Sequence, residues 1–186
     1  MKKPSAKDRI LATAGELFFQ RGYSGVGINE IIEKAGTAKA SFYQHYPSKE
    51  ALCEAWLKSL HEQSAIQRKE LLDGPGTPRE KILAYFSQLE TFLLRSQFRG
   101  CPYSNTGADT VESSPGIAAL IRTHKEAIRQ FFRDLAAQAS PRCPDSCELG
   151  DRLFILYSGA TSEAQNLKET WPVHVARAAA AEMVVR

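Results

Sequence analysis

The chain has 186 residues, of which 43% are hydrophobic, enough for one or two small domains with a real core rather than a disordered polymer. Its formal net charge of +3 lies wholly within residues 1–50, which hold eight Lys and Arg against five Asp and Glu, since the remainder is balanced. No apolar run approaches the length of a membrane span and no signal-peptide core follows the N-terminal lysines, so we expect a cytoplasmic protein that does not bind membranes.

The first predicted helix runs from about Lys7 to Gln20. Its apolar residues recur at helical spacing, and Gly22 suits the position just after a helix end. Basic residues cluster in and before its first turn: Lys2, Lys3, Lys7 and Arg9. Such a basic arm can contact nucleic-acid phosphates, although an ordinary solvated terminus is the alternative.

Two short helices joined by a tight turn are predicted next. Apolar spacing indicates a helix over about Ile28–Lys34, and Gly36 can take the positive φ that ends it. In the second helix Phe42 and Tyr46 are predicted core, while the other faces carry Lys39, Ser41, Tyr43, Gln44 and His45. This pattern is typical of a helix-turn-helix whose second helix lies in the DNA major groove. A helical hairpin within an all-α core is the alternative, but it needs no such polar face.

These residues resemble the tetracycline-repressor (TetR) family of bacterial transcription regulators. The resemblance covers about the first fifty residues: Ile10 to Gly22, then Gly36 to Tyr46, followed by Pro47-Ser48-Lys49-Glu50-Ala51-Leu52. The resemblance combines an aromatic-rich second helix with a Ser-Lys-Glu-Ala-Leu run, which begins the next helix at a fixed number of residues after it. Ala38 and Ala40 stand where the family usually has Ser and Gly, and Gly27 replaces its usual Ser or Thr cap. We therefore expect Gly27 to serve as an N-cap and Thr37 to cap the recognition helix.

The resemblance implies an all-α fold, with an N-terminal three-helix helix-turn-helix DNA-binding domain over residues 1–47 and a C-terminal helical ligand-binding and dimerisation domain over residues 48–186. It implies a repressor that binds a palindromic double-stranded DNA operator as a homodimer and that a small-molecule effector releases. Lys39 and Ser41 would face bases or adjoining phosphates, whereas Tyr43 and His45 would contact phosphate and sugar. Lys49 would anchor the DNA backbone. The predicted DNA-binding residues are Thr37, Lys39, Ser41, Tyr43, Gln44, His45 and Lys49.

The rest of the chain is predicted to be helical, because no alternation is long enough for a strand. Ser48 should cap a long helix whose inward stripe extends to Ile66 and Leu71, and the Gly- and Pro-rich segment 73–78 ends it. Further helices are predicted at about 78–96, 115–139, 148–168 and 173–185, with a loop over 140–147 and a break at Trp171-Pro172.

The last two predicted helices favour a dimer. Their apolar faces of small and medium residues suit a four-helix bundle across a two-fold axis. The predicted interface residues are Leu153, Leu156, Ala160, Ala164, Ala176, Ala179, Ala180 and Met183. A monomeric helical core is the alternative. Two copies would contact half-sites a whole number of DNA turns apart, about 34–36 Å or a multiple.

The predicted effector site lies among the apolar and polar residues of the C-terminal helices. Its candidates are Phe86, Leu89, Phe92, Leu93, Tyr103, Asn105, Ile121, His124, Phe154, Tyr157 and Thr161. Most of them also fit a plain core, and His124, one imidazole in a stripe of isoleucines, also fits a hydrogen-bonded core histidine.

The segment Arg99-Gly100-Cys101-Pro102-Tyr103-Ser104-Asn105 carries a candidate sensor thiol. Gly100 is predicted at the C′ position of one helix and Pro102 at the first position of the next, which leaves Cys101 at the N-cap. The positive potential there, with Arg99 nearby, favours a thiolate. The Gly-Cys-x-aromatic-x-Asn run also resembles a segment in one branch of the TetR family, in some members of which the cysteine senses electrophiles or oxidants. A small buried capping residue is the alternative.

Two other functions fit parts of the sequence less well. A thiol oxidoreductase would use Cys143 and Cys147, but their spacing is one residue longer than the redox motif and no βαβ unit surrounds them. A zinc site there lacks two further ligands, and no cofactor motif occurs, so we expect no enzyme, no metal and no cofactor. An architectural or sequence-tolerant DNA-binding protein is the more serious alternative, and a footprint would distinguish it from a regulator of one palindrome.

Overall fold

The computed structural model describes residues 4–110, 114–139 and 146–184. These residues form helices and no strand, which confirms the predicted all-α class. The helices are α1 (Ala6–Arg21), α2 (Ile28–Lys34), α3 (Lys39–His45), α4 (Lys49–Asp73), α5 (Pro78–Arg95), α6 (Pro102–Thr110), α7 (Pro115–Ala139), α8 (Ser146–Leu167) and α9 (Trp171–Met183). No helix in the described ranges combines the length and the apolar character that crossing a membrane requires.

The helices pack into two compact units. The first unit lies within Met1–Gln63 and Pro102–Thr123, and the second within Ser64–Cys101 and His124–Arg186. Both α4 and α7 contribute residues to each unit. The predicted functional boundary between residues 47 and 48 stays a prediction.

The first unit is built on α1. A capping box begins this helix, because the Ser5 hydroxyl accepts a hydrogen bond from the Asp8 amide and the Asp8 carboxylate accepts one from the Ser5 amide. Gly22 caps the C-terminal end of the helix with a φ of 79°, a left-handed conformation that glycine adopts without strain. Its inward face is fully buried, and Phe18 lies 5.7 Å, centroid to centroid, from Trp56 of α4. The cap and the apolar stripe therefore fix the helix on which α2 and α3 pack.

The second unit has an aromatic core formed by α5, α7 and α8. The ring of Tyr85 lies 4.6 Å from Phe131 and 4.9 Å from Tyr157, and Phe86 and Phe132 are fully buried beside them. Helix α5 starts with a second capping box and a proline in its first turn. Closely spaced aromatic side chains at helical periodicity thus define the centre of this unit.

At the edge of the same unit, one carboxylate joins α8 to α7. Asp151 accepts hydrogen bonds from Arg129 and from Arg133 at 2.7–2.8 Å, each arginine using two nitrogens. These two guanidinium groups hold the pKa of the Asp151 carboxyl well below its ordinary value.

Several predicted boundaries were wrong in detail. Helix α8 begins at Ser146, so Cys147 lies in a helix, and residues 140–145 of the predicted loop lie outside the described residues. The Trp171-Pro172 pair begins α9 rather than separating two helices, because proline is acceptable in a first turn. Gly100 has a positive φ, but α5 already ends at Arg95, so Gly100 is not its C′ residue. Ile66 is 59% exposed and does not belong to the inward stripe of α4.

Candidate functional site

The helix-turn-helix consists of α2, α3 and the turn at residues 35–38. Gly36 takes a φ of 59° and allows the chain to reverse after α2. Ile31 and Phe42 are fully buried and Tyr46 is 3% exposed, so each short helix presents one apolar side to α1. The predicted core role of Phe42 and Tyr46 is confirmed.

Arg9 of α1 binds the main chain of the turn between α2 and α3. Its Nε donates to the carbonyl oxygen of Ala35 at 3.1 Å and its Nη2 to that of Gly36 at 3.3 Å, while Nη1 donates to Pro4. A cation suits this place because carbonyl groups at a helix C-terminus carry partial negative charge. Arg9 was predicted as part of a basic arm, whereas the structure uses its guanidinium to fix α2 and α3. Lys2 and Lys3 of that arm lie outside the described residues.

The loop between α1 and α2 is clamped by three side chains. Lys49 of α4 donates from Nζ to the carbonyl oxygens of Tyr23 and Val26, both at 3.0 Å, and its Nζ lies 4.2 Å from the centre of the Tyr23 ring. Arg21 donates to the Gly25 carbonyl, and the Asp109 carboxylate of α6 accepts from the Ser24 amide at 3.1 Å. Sequence reasoning missed these contacts, because their partners are backbone atoms and those of Lys49 and Asp109 are distant in sequence.

The outward surface of α3 is polar and accessible. Lys39, Tyr43 and Gln44 are exposed, whereas Ser41 and His45 are half-buried. Within the described ranges, no carboxylate forms an ion pair with Lys39. The surface therefore offers an ammonium, a phenol and an amide, which are donors and acceptors suited to phosphate and base edges.

The start of α3 differs from the prediction. Ala38 occupies the N-cap, and no side chain accepts a hydrogen bond from the first turn. The expected cap by Thr37 is wrong, because Thr37 lies one residue too early, and its half-buried side chain stays a predicted DNA contact only. Helix α4, in contrast, begins as predicted, since the Ser48 hydroxyl accepts from the Ala51 amide at 3.0 Å.

The predicted effector residues are divided between the two units. Tyr103, Asn105 and Ile121 belong to the first unit, and the Tyr103 hydroxyl donates to the Leu57 carbonyl there at 2.8 Å. The second unit holds the remaining candidates: Phe86, Leu89, Phe92, Leu93, His124, Phe154, Tyr157 and Thr161. Most of these are buried or half-buried, but Phe92 is 40% exposed. Their part in effector binding stays a prediction.

A polar centre lies inside the aromatic core of the second unit. Arg68 of α4 is only 6% exposed; its Nη1 donates to the Ser64 hydroxyl, and its guanidinium lies beside the Tyr85 phenol. Burial raises the pKa of Tyr85, and Arg68 partly opposes that rise. Burial also raises the pKa of Tyr157 well above its usual value, so both phenols are neutral at pH 7. Sequence reasoning did not select Arg68, because one arginine in a long polar helix gives no signal of burial.

The cysteines occupy different environments. Cys101 directly precedes α6 and is half-buried, and the Nζ of Lys125 lies 3.7 Å from its sulfur. Cys53 is fully buried, and burial raises the pKa of its thiol to about 12. Cys147 is exposed on α8, and Cys143 lies outside the described residues. No cluster of metal-ligating side chains occurs in the described ranges.

The outer face of α8 and α9 carries apolar side chains that the unit does not cover. Ile155 is 65% exposed, Val175 59% and Trp171 50%, and a methyl group added to Gly159 would meet open space. The predicted dimer residues are largely different. Five of them are buried in this chain's own core, namely Leu153, Ala160, Ala164, Ala176 and Ala180. That part of the prediction was wrong, because the alanine side of these helices packs them against each other and α5.

Comparison with known proteins establishes the family. Residues 10–56 match the model of the bacterial regulatory proteins of the tetR family. The HTH-type transcriptional regulator LmrA of Bacillus subtilis is 30% identical over 129 residues, which cover 68% of this chain and 69% of LmrA. The chain belongs to the TetR family of transcriptional regulators.

Other TetR-family proteins match nearly the whole chain. The HTH-type transcriptional repressor NemR of Escherichia coli K12 is 28% identical over 179 residues, which cover 92% of this chain and 90% of NemR. The crystal structure of E. coli NemR in its reduced form has a TM-score of 0.84 at 25% identity, over 96% of this chain and 97% of that chain. A TetR transcriptional regulator from Legionella pneumophila shares the fold over the full length of both chains, with a TM-score of 0.87 at 20% identity.

Family membership decides between the functions considered above. Members of the TetR family are transcriptional regulators and not enzymes, so the thiol-oxidoreductase alternative fails. The architectural alternative is not favoured, because the matched relatives are named as regulators and repressors. The predicted family and function class are confirmed.

Proposed function

We propose that this protein is a cytoplasmic repressor that binds a palindromic DNA operator as a homodimer and leaves it when an effector or a thiol-reactive compound reaches its C-terminal core. The accessible polar surface of α3, held by buried Phe42 and Tyr46 on a clamped helix-turn-helix, carries the proposal. The repressor role rests on likeness to NemR, whose name describes it as a repressor.

The DNA contacts are assigned to the α3 surface and its flanks. Lys39 and Ser41 would contact bases or adjoining phosphates, and Tyr43, Gln44 and His45 would contact phosphate, sugar or base edges. Thr37 and Lys49 would contact the DNA backbone on either side. Two of the three ammonium protons of Lys49 already serve backbone carbonyls, so only one would remain for a phosphate.

This DNA-binding surface is tested by footprinting and by titration of a labelled operator. We expect protection of one short palindrome, and weaker binding after Lys39→Ala. Lys58→Ala is the matched control, because Lys58 is an exposed lysine on α4 outside the helix-turn-helix. Broad protection of unrelated sequences would contradict the proposal and favour the architectural function.

The dimer is assigned to the exposed apolar face of α8 and α9. Ile155 of α8 and Trp171 and Val175 of α9 are exposed apolar side chains that a second copy would bury across a two-fold axis. Sedimentation equilibrium should show twice the 20.6 kDa mass of the chain at micromolar concentration. Ile155→Glu should give monomers, whereas Ile66→Glu, which changes an equally exposed isoleucine on α4, should leave the dimer intact. Monomers in the parent protein, with and without DNA, would refute the dimer.

The signal is assigned to the second unit, with Cys101 as its candidate thiol. The Lys125 Nζ lies 3.7 Å from its half-buried sulfur, so a positively charged side chain adjoins the position at which an electrophile would be attacked. A mild thiol-alkylating agent should release the parent from its operator and leave the Cys101→Ser variant bound, while Cys147→Ser should respond like the parent. Equal release of the parent and Cys101→Ser would exclude Cys101 and leave a reversible ligand as the signal.

A further inference from the structure

A buried positive charge without a carboxylate partner lies at the polar centre of the second unit. Arg68 is 6% exposed, and in the part of the chain that the structure describes, no carboxylate forms an ion pair with it. Its Nη1 donates to the hydroxyl of Ser64, and the phenol of Tyr85 lies beside its guanidinium; both of these groups are neutral. Because a guanidinium cannot lose its proton in a protein, the charge of Arg68 persists inside the core.

Among the described residues of this unit, Lys81 is a second buried cation, and its charge is compensated within the chain. Lys81 is 8% exposed, and its Nζ donates at 2.6 Å to the carbonyl oxygen of Leu72, in the last turn of α4. Partial negative charge at a helix C-terminus compensates such an ammonium. Arg68 lies five residues before the end of α4, and its Nη1 donates back to the Ser64 hydroxyl rather than to a carbonyl oxygen at the helix end. An unpaired buried charge destabilises a fold, so a guanidinium at this position is better explained if it pairs with the negative charge of a bound ligand.

The surroundings of Arg68 indicate the chemistry of that partner. Tyr85 stacks on Tyr157 with ring planes 21° apart, and Phe131 lies 4.6 Å from Tyr85. Aromatic walls favour an organic body, and two neutral phenols can donate hydrogen bonds to an oxyanion. The planar fork of one guanidinium matches a carboxylate with two parallel hydrogen bonds. A single buried positive charge is balanced by a monoanion.

We propose that Arg68, Tyr85 and Tyr157 form the anion-binding end of the effector site, and that this site takes a small organic monocarboxylate with an apolar or aromatic body. The inference deepens the proposed function, on which it rests for the consequence of binding. Arg68 would pair with the carboxylate, and the phenols would donate to its oxygens. Since Arg68 belongs to α4, which also contributes to the DNA-binding unit, the effector would act on a helix shared by both units.

The test compares acids with their neutral amides on the full-length protein. Benzoate and benzamide, and hexanoate and hexanamide, are titrated to millimolar concentration at constant ionic strength while the thermal unfolding midpoint is followed. A ligand that binds only the native state raises this midpoint in proportion to the logarithm of its concentration. We expect at least one acid to raise it and the matching amide to have little effect. Equal shifts from acid and amide, or none from either pair, would overturn the proposal.

Variants of Arg68 separate recognition from folding. Arg68→Met keeps most of the side-chain volume, and we expect it to weaken acid binding by roughly 30-fold or more while leaving the ligand-free protein at least as stable as the parent. Arg95→Met removes an exposed arginine from α5 and should keep the acid preference. If Arg68→Met does not fold, Arg68→Lys provides the test, since it keeps the charge but loses the fork and should bind the acid less tightly. Unchanged acid preference in either Arg68 variant would overturn the proposal.

Release from DNA is measured separately, with a fluorescent operator and the same compounds. Acid-selective stabilisation that depends on Arg68, without release of the operator, would support the binding site and contradict the proposed mode of regulation. Release by acids that persists in Arg68→Met would support the regulator and overturn this site.

Discussion

Lys49 provides the sharpest test of how the helix-turn-helix is held. We consider the substitution Lys49→Met, which keeps an unbranched side chain of similar length and removes the ammonium group. The variant loses two hydrogen bonds to backbone carbonyls and the contact with the Tyr23 ring. Of the three clamping side chains, Arg21 and Asp109 would then remain to hold the loop between α1 and α2.

The expected loss follows from these contacts. A hydrogen bond from a charged donor contributes about 1.5–3 kcal/mol, and a partly exposed cation–π contact about 0.5–1 kcal/mol. Lys49 is half-buried, so the released carbonyls regain water and the sum must be reduced. We expect Lys49→Met to lower the free energy of unfolding by about 2 kcal/mol, which is roughly a 30-fold change in the folding equilibrium.

The assay is urea denaturation, together with operator titrations at several salt concentrations. Lys39→Met is the matched control, because Lys39 is exposed on α3 and forms no ion pair in the described ranges, so its removal should leave stability unchanged. If Lys39 contacts phosphate, the salt slope of a dimer should flatten by about 1.8, since two contacts are lost. Unchanged stability in Lys49→Met would refute the clamp. A flatter salt dependence of operator binding in that variant would indicate that the third ammonium proton of Lys49 contacts a DNA phosphate.

Three further predictions use other features of the structure. Ala38→Ser should raise the free energy of unfolding by about 1 kcal/mol, measured from the urea midpoint, because the serine hydroxyl can accept the N-cap hydrogen bond that Ala38 cannot. In the folded protein at pH 8, mass spectrometry should find Cys147 alkylated and Cys53 unmodified, since the latter has a pKa of about 12; rapid modification of Cys53 would contradict its burial. Asp151→Asn should lower the thermal midpoint at pH 7. Because the folded-state pKa of Asp151 is depressed below 3.8, this difference should persist at pH 5, begin to shrink as the pH falls below 3.8, and be lost as it passes the lower folded-state value; a difference already lost at pH 5 would refute the assignment.

Local sequence signals predicted the DNA-binding half well. The bounds of α2 and the core positions Phe42 and Tyr46 follow from helical spacing and from a glycine that can take positive φ, and these depend only on neighbours in sequence. The cap by Ser48 follows from the same short-range chemistry. For these features, the sequence within one or two helical turns is sufficient.

Features that depend on distant partners were not predictable. Arg9 was predicted to lie in a basic arm that can contact phosphate or remain solvated, yet two of its acceptors are carbonyls more than 25 residues away. Arg68 is buried beside Tyr85 of α5, which its own helix pattern does not reveal. Helices α8 and α9 have alanine on one side and larger apolar residues such as Ile155 on the other, so periodicity alone does not decide which side faces the core.

The clamps on the helix-turn-helix have a consequence for how this domain tolerates mutation. Arg9, Arg21 and Lys49 all donate to main-chain carbonyl oxygens, and every residue type carries such an acceptor. Substitutions in the clamped segments therefore leave the hydrogen bonds available, except at three glycines: a Cβ at Gly25 would lie 2.7 Å from the Arg21 carbonyl oxygen, and Gly22 and Gly36 have positive φ. Substitution of a donor removes the contact outright. A saturation-mutagenesis map of the first fifty residues should show that Arg9, Arg21 and Lys49 tolerate few substitutions, whereas the non-glycine residues of the clamped segments tolerate more. The sequence of these turns can therefore vary while three cations keep their conformation.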